Sequence, residues 1–156
     1  MMYLGLLTIH IVSSTVLFGT GLGIAFFLWM ANRSGNRAAI LVVTGHVIKA
    51  DLWFTTPAVI IQPVSGFALM TFSGFRMTLS PLNWLSVSLL LYGVAGLCWL
   101  PVLWLQIRMY VIVRTGDLHL PLPETFWRYA RIWTMLGIPA FLSLVVVFWL
   151  MVSKPF

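Results

Sequence analysis

The sequence predicts an all-α integral membrane protein, a four-helix bundle with both termini on the periplasmic side. Its 156 residues are 61% hydrophobic and only 8% charged, and the mean hydropathy is +1.02. Soluble domains carry about 25% charged residues because water must wet their surface. A chain with about a third of that fraction of charged residues is suited to a lipid environment. Its length predicts a single domain, residues 1–156, without a polar linker.

Four apolar stretches are long enough to cross a bilayer, whose hydrocarbon core of about 30 Å needs roughly 20 residues of helix. Glycines and prolines punctuate the connections between them. The first stretch has no positive charge before Arg33 and exceeds the apolar region of a secretory signal, so we interpret it as a retained helix. The predicted spans are residues 3–30, 38–72, 82–113 and 126–152.

The distribution of Lys and Arg predicts the orientation. The first and third connections and their flanks hold most of the basic residues, whereas the second connection and the C terminus hold only Arg76 and Lys154. The positive-inside rule therefore places both termini outside, and a bacterial inner (cytoplasmic) membrane suits this pattern best. The basic residues on the predicted cytoplasmic side are Arg33, Arg37, Arg108, Arg114, Arg128 and Arg131.

Several classes of function are not supported by the sequence. The net charge of +6 comes from basic residues scattered singly beside apolar segments, which argues against nucleic-acid binding. The single cysteine, Cys98, excludes an internal disulfide, and three acidic residues leave no carboxylate dyad. The chain has no phosphate-binding glycine loop, no zinc-binding helix motif and no nucleophile elbow.

His10 is the first candidate for function, because it is the only ionisable side chain in the outer part of the first span. Such groups are costly in lipid, and neutral imidazole is a good ligand for haem iron, copper or zinc. The alternative is a histidine hydrogen-bonded to a neighbouring helix. At the same depth lie Met70, Met77 and Met151, although methionine more often fills packing gaps.

The first helix also has a stripe of small residues. Thr15, Gly19 and Gly23 recur every fourth position, and this spacing predicts a face where another helix can approach closely. At about 100° per residue, His10 and Ser14 lie on roughly the opposite face.

A second group of polar residues lies deeper in the second and third spans. His46 and Lys49 share one helix face, and His46 is predicted to be either a second metal ligand or a structural residue. Asp51 needs a partner from another helix, and Arg108 lies within reach in depth. The alternative is that these side chains snorkel from a helix that extends past the lipid. His10 and His46 differ in predicted depth by well over 10 Å, so they are not expected to share one metal.

The second span contains an unusual segment, residues 55–66, in which Pro57 and Pro63 each remove a backbone donor. Gln62 and the nearby hydroxyl groups are expected to satisfy the carbonyls that are left free. The functional alternative is that the resulting bend opens a pocket for a flat cofactor. Gln106 and Pro101 give the third span a similar, weaker irregularity.

These residues resemble a family of bacterial inner-membrane proteins catalogued as domain of unknown function 2269. The likeness covers essentially the whole chain. It rests on His10 and on the segments FGTGLG (18–23), ADLWFTTPA (50–58), QP (62–63) with Gly66, WLP (99–101) and WLQIRM (104–109).

That family resembles, more distantly, the CopD-like group, which includes the HemJ-type protoporphyrinogen oxidases. HemJ-like proteins have a histidine early in the first span and a Thr-Pro-Ala run followed, nine residues after the proline, by glycine. Pro57 and Gly66 keep that spacing. This resemblance implies a b-type haem ligated by His10, whereas CopD-like relatives imply copper transport. The HemJ-like pattern has another histidine close after the first span where this chain has Arg33 and Arg37, so porphyrinogen oxidation is not carried over.

We therefore expect a haem b protein of the membrane, with electron transfer or a membrane oxidoreductase activity of the protoporphyrinogen-oxidase-like type as its function. His10 is the expected ligand to the haem iron, with Met70 or His46 as further candidates. Expected partners are quinone, a cytochrome, a larger oxidoreductase complex or a second copy of the chain. The alternatives are a copper or haem transport or assembly factor and a cofactor-free structural subunit. The supporting polar residues are Lys49, Asp51, Gln62, Gln106 and Arg108.

Overall fold

The computed structural model describes residues 1–74, 82–117 and 120–155 and contains four helical spans. All four are long and apolar enough to cross a membrane, which confirms the predicted all-α architecture with four spans. At about 1.5 Å per residue, the 33 residues of the first helix extend about 50 Å, more than the hydrocarbon core requires. Arg76, Met77 and Pro81 lie outside the described residues. The helices are α1 (Met2–Ser34), α2 (Arg37–Ala50), α3 (Thr56–Ser73), α4 (Trp84–Thr115) and α5 (Glu124–Ser153).

Capping residues explain where three of these helices begin or end. α1 stops at Gly35, whose φ of 65° is the left-handed conformation that glycine adopts without strain. The Asn36 side chain then accepts the Ala39 backbone N–H at 3.1 Å and starts α2. Asn83 does the same for α4 by accepting the Ser86 N–H at 2.9 Å. We call the end of the bundle with Met2 and Ser153 the terminal end, and the opposite end the connection end.

The second span is continuous but changes register once. Between α2 and α3, residues Asp51–Thr55 form a single π-helical turn. The Thr56 backbone N–H bonds to the Asp51 carbonyl five residues earlier, and the Thr56 hydroxyl donates to the same oxygen at 2.9 Å. The turn ends two residues before Pro57, which has no backbone N–H to donate to a helical hydrogen bond. π-turns inside helices frequently lie at functional sites, and this one carries two of the buried polar residues of the bundle, Asp51 and Thr55.

Pro63 lies inside α3, and its missing donor is replaced from another helix. In a regular α-helix the N–H of residue 63 would bond to the carbonyl of Val59. Here the Tyr92 hydroxyl on α4 donates to that carbonyl at 2.7 Å. The sequence-based expectation was that Gln62 and nearby hydroxyl groups fill this role. Gln62 instead donates to the His10 carbonyl on α1, so the donor that replaces the missing N–H of Pro63 comes from α4.

Replacing Tyr92 with phenylalanine is expected to lower the free energy of unfolding by about 1 kcal/mol, because the Val59 carbonyl loses its only side-chain donor in lipid. The measurement is unfolding by SDS in mixed micelles. Tyr3→Phe is the matched control, since Tyr3 is exposed at the beginning of α1. Equal stability of the two variants would contradict this role for Tyr92.

The closely packed core occupies the half of the bundle at the connection end. There α1, α2, α4 and α5 bury aliphatic and aromatic side chains against one another. The core residues are Ile24, Leu28, Ala31, Ile40, Val47, Val102, Leu105, Met109, Val113, Phe126 and Trp133. In the terminal half, the described residues form no buried apolar cluster of this size, and α1, α3, α4 and α5 line a cavity there.

The small-residue stripe of α1 does not form the packing face that its spacing predicts. Thr15 and Gly19 are exposed, and no atom of another helix comes within 4 Å of a Cβ built at Gly19 or Gly23. The buried face of α1 instead runs through Ser13, Leu17 and Ile24. The prediction was wrong because small residues permit close approach without requiring it.

Candidate functional site

A cavity of about 560 Å³ lies in the terminal half of the bundle, within the range of small-molecule binding sites. Side chains of α1, α3, α4 and α5 line it, and the lining is mostly apolar. The functionally relevant lining residues are His10, Gln62, Gly66, Met70, Tyr92 and Phe148.

The hydrogen bonds around His10 determine which ring nitrogen carries the proton. His10 Nδ1 lies 2.8 Å from Ser65 Oγ. The Ser65 hydroxyl donates its proton to the Ile61 carbonyl at 2.6 Å, so towards His10 its oxygen accepts. With the Ser65 proton assigned to the Ile61 carbonyl, the tautomer that completes the network has its proton on Nδ1 and its lone pair on Nε2. Histidines that ligate metals commonly have their other N–H bonded in this way.

A second set of bonds holds the backbone of α1 at His10 against α3. The Gln62 amide donates to the His10 carbonyl at 2.7 Å and to Ser13 Oγ at 2.6 Å. The Ser13 hydroxyl donates to the His10 carbonyl at 3.1 Å. Gln62, Ser13 and Ser65 are all buried. The imidazole is thus held both through its ring and through its own main chain, as a preorganised ligand requires.

Gly66 provides the space in which the imidazole ring lies. A Cβ built at Gly66 would be 3.4 Å from His10 Cε1, which is the limit of ordinary van der Waals contact. Any larger side chain at position 66 would occupy the volume of the ring. Gly66, which the sequence singled out by its spacing from Pro57, therefore lies directly beside the His10 ring.

Two methionines line the same cavity as His10. Met70 lies one helical turn beyond Gly66 on α3, and Met151 lies near the end of α5. Lys154 also borders the cavity and stacks over the Trp84 ring at 5.6 Å. The lining therefore also contains two thioethers and one basic side chain.

His46, Lys49 and Arg108 do not belong to this site. His46 and Lys49 are exposed on α2, and His46 precedes Ser65 by 19 residues, about 28 Å along the helix axis. Arg108 is exposed and stacks over Trp104 at 5.2 Å, away from Asp51. These positions are those of side chains that extend along a bundle surface towards lipid headgroups.

Asp51 pairs with Gln106, whereas the sequence suggested Arg108. The Gln106 amide donates to Asp51 Oδ2 at 2.5 Å, and the Trp133 indole N–H donates to Gln106 Oε1 at 3.4 Å. All three residues are buried. Moving an amide group out of water costs less free energy than moving a guanidinium out of water. Gln106 can therefore pair with Asp51 in the interior without burying a second charged group. No hydrogen bond joins this group to the residues around His10 among the contacts that the structure describes.

Sequence reasoning identified His10, Gln62, Asp51 and Gln106 but missed several of their partners. Ser13 lies three residues after His10 on the same face of α1, a spacing that would have identified it. Tyr92 and Trp133 gave a weaker signal, a polar-tipped aromatic residue inside a span rather than at its end.

The described residues contain no group of three or more His, Cys, Asp or Glu side chains that could hold a metal ion together. His10 therefore offers one strong nitrogen donor, with Met70 and Met151 as soft donors on the same cavity. Such a donor set suits a prosthetic group that brings further metal ligands of its own.

Comparison with known proteins gives one relationship. No curated protein and no solved structure matches the chain. A family model described as "Predicted integral membrane protein (DUF2269)" matches residues 4–155, which is nearly the whole chain. The chain therefore belongs to the DUF2269 family of predicted integral membrane proteins.

Proposed function

We propose that this protein binds one b-type haem in the cavity beside His10 and serves electron transfer in a bacterial inner membrane. The single observation that carries the proposal is the histidine itself. Its Nδ1–H is held by Ser65 and its ring lines a mostly apolar cavity of about 560 Å³. An imidazole with a fixed tautomer and a lone pair on Nε2 is the usual protein ligand to haem iron.

The remaining lining suits a porphyrin. A porphyrin supplies four nitrogen ligands, so one or two protein donors complete the coordination of its iron. His10 is the first donor, and Met70 is the proposed second one. Phe67 and Phe148 offer apolar surface to the ring, and Lys154 offers a positive charge to the propionate groups near the terminal end.

A bound haem would supply reversible one-electron oxidation and reduction of its iron. The chain's own contribution is binding and tuning. Ser65 orients the imidazole, Gln62 holds α1 against α3, and the apolar walls limit access of water. These are the means by which a protein adjusts a haem potential. Within this proposal both termini face the periplasm, so the haem lies towards that side of the membrane.

The site favours haem over copper. His10, Met70 and Met151 are imidazole and thioether donors of the kind that also bind Cu(I), but the cavity that they line is mostly apolar and, at about 560 Å³, far larger than a single ion fills. Copper transport is therefore the weaker hypothesis. The Ser65–His10 bond also fits the structural alternative, a histidine hydrogen-bonded to a neighbouring helix, so the haem proposal rests on this bond together with the cavity that His10 lines.

The proposal is tested by titrating the haem-free protein in detergent with hemin. We expect a Soret band that saturates at one hemin per chain, and a loss of affinity of at least 100-fold in His10→Ala, because the iron loses its strongest protein ligand. His46→Ala is the matched control and is expected to bind as the wild type does, since His46 is exposed on α2.

Two results would overturn the proposal. One is hemin binding by His10→Ala that equals binding by the wild type. The other is saturable binding of copper, and not of hemin, that depends on His10.

A further inference from the structure

Two arginines and two aromatic rings form a connected group on the surface between α4 and α5, near the connection end. The Arg108 guanidinium lies over the Trp104 ring on α4 at 5.2 Å. The Trp104 ring meets the Tyr129 ring on α5 edge to face, with 5.7 Å between the ring centroids. The Arg128 guanidinium lies over the Tyr129 ring at 5.9 Å. We call these four residues the α4–α5 cluster, which joins two positive charges across the boundary between the two helices.

The positive charges of the α4–α5 cluster are exposed and have no acidic partner. Arg108 and Arg128 are both exposed, and among the residues that the structure describes no carboxylate forms an ion pair with either. Glu124 precedes Arg128 by one helical turn but does not pair with it. An aromatic ring contacts the face of a guanidinium and leaves the N–H donors at its edge free. The cluster therefore presents two sets of free donors to its surroundings.

The depth of the two arginines corresponds to the boundary between acyl chains and headgroups. Arg108 lies seven residues before the end of α4, and Arg128 lies four residues after the start of α5. These helices have 32 and 30 residues and are about 48 Å and 45 Å long. With the helices centred in the bilayer, both Cα atoms lie about 15 Å from its midplane, where the hydrocarbon core of about 30 Å ends. The long side chains reach from there to the headgroups.

Each arginine also stands at the end of an exposed apolar stripe. Three residues precede Arg108 on α4, and three follow Arg128 on α5, at the spacing that keeps them on one helix face. Because the two helices run in opposite directions, both stripes extend from the arginines towards the middle of the bundle. The stripe residues, all exposed, are Leu97, Pro101 and Trp104 on α4 and Ile132, Met135 and Pro139 on α5.

We propose that the α4–α5 cluster binds an anionic phospholipid, with the headgroup phosphate at Arg108 and Arg128 and the acyl chains along the two apolar stripes. A phosphate accepts the N–H donors of guanidinium groups, and basic residues between spans at headgroup depth favour anionic lipids. The Trp104 and Tyr129 rings lie between charged and apolar surface, which is the usual place of such rings in a membrane. A free phosphate ion would leave the two stripes unused.

The test is native mass spectrometry of the full, haem-free chain in detergent with dioleoyl phosphatidylglycerol or dioleoyl phosphatidylcholine. These lipids have the same acyl chains, and only the first has a net negative charge. The dissociation constant of the first bound lipid is measured for each. We expect phosphatidylglycerol to bind at least about tenfold more tightly than phosphatidylcholine. Arg108→Gln and Arg128→Gln should each weaken phosphatidylglycerol binding about fivefold, and the double variant should bind the two lipids about equally.

Arg33→Gln is the matched control for the loss of one charge. Arg33 is also exposed near the connection end and lies over an aromatic ring, that of Trp29 at 5.0 Å, but it belongs to α1. This variant should bind both lipids as the wild type does. A loss of phosphatidylglycerol affinity equal to that of Arg108→Gln would overturn the proposal, because it would show a general effect of charge.

Four other results would also overturn it. One is equal affinity of the wild type for the two lipids, and another is a loss of phosphatidylcholine affinity in Arg108→Gln as large as the loss for phosphatidylglycerol. A third is displacement of the lipid by an equimolar amount of inorganic phosphate, which would identify a site for the free anion. The fourth is a lipid-free dimer that the two Gln variants dissociate, which would identify this face as an interface between two copies of the chain.

Discussion

Replacing Gly66 with leucine is expected to reduce haem binding by more than tenfold. The first atom of a side chain at position 66 would already touch His10 Cε1 at 3.4 Å, so the branched carbons of leucine would take the space of the imidazole ring. The ring would rotate away from Ser65, and Nε2 would leave its place in the cavity. The measurement is haem content per chain, determined from the Soret absorbance of the purified variant.

The expected effect is graded and specific to this position. Gly66→Ala adds only the atom that ordinary contact permits, so it should keep most of the haem. Gly19→Leu is the matched control, because no atom of another helix lies near a Cβ built at Gly19. A Gly66→Leu variant with the wild-type haem content would show that His10 and Gly66 are not parts of one binding site.

Replacing Gln106 with leucine is expected to lower the free energy of unfolding by about 2–4 kcal/mol, because two buried groups lose their partner at once. These groups are the Asp51 carboxyl and the Trp133 indole N–H. Asp51→Leu should cost about 1–3 kcal/mol, since it leaves the Gln106 amide unbonded. The measurement is unfolding by SDS in mixed micelles.

The double variant distinguishes a hydrogen-bonded pair from two independent residues. With leucine at both positions no amide or carboxyl remains unpaired between them, so the cost should be at least 1 kcal/mol less than the sum of the two single changes. Asp51→Asn keeps an acceptor for Gln106 and should be close to the wild type. Strict additivity would contradict the pairing of Asp51 with Gln106.

The four spans were predictable because lipid imposes a simple requirement on the chain. A helix that crosses the bilayer needs about 20 apolar residues, and the chain has so few charges that no other arrangement suits it. The helix ends were less predictable, because capping residues set them: Asn36 starts α2 at Arg37, one residue before the predicted span, whereas Asn83 starts α4 at Trp84, two residues inside the predicted span.

Which face of each helix lies inside was predictable only where polar residues mark it. In a soluble protein the apolar face is the buried one, but here both the interior and the lipid are apolar. The stripe of Thr15, Gly19 and Gly23 therefore gave a wrong prediction of the packing face. The polar residues His10, Gln62 and Gln106 do point towards the interior of the bundle. The helix that a polar residue reaches cannot be derived from spacing along its own helix, which is why Arg108 was suggested for Asp51 where the structure has Gln106.

The most direct test of the haem proposal is a dithionite-reduced minus oxidised absorption spectrum of the protein purified from haem-replete cells. The proposal predicts the Soret and α-bands of a b-type haem in the wild type and in His46→Ala, and their absence in His10→Ala. A colourless wild-type protein, or bands that persist unchanged in His10→Ala, would contradict it.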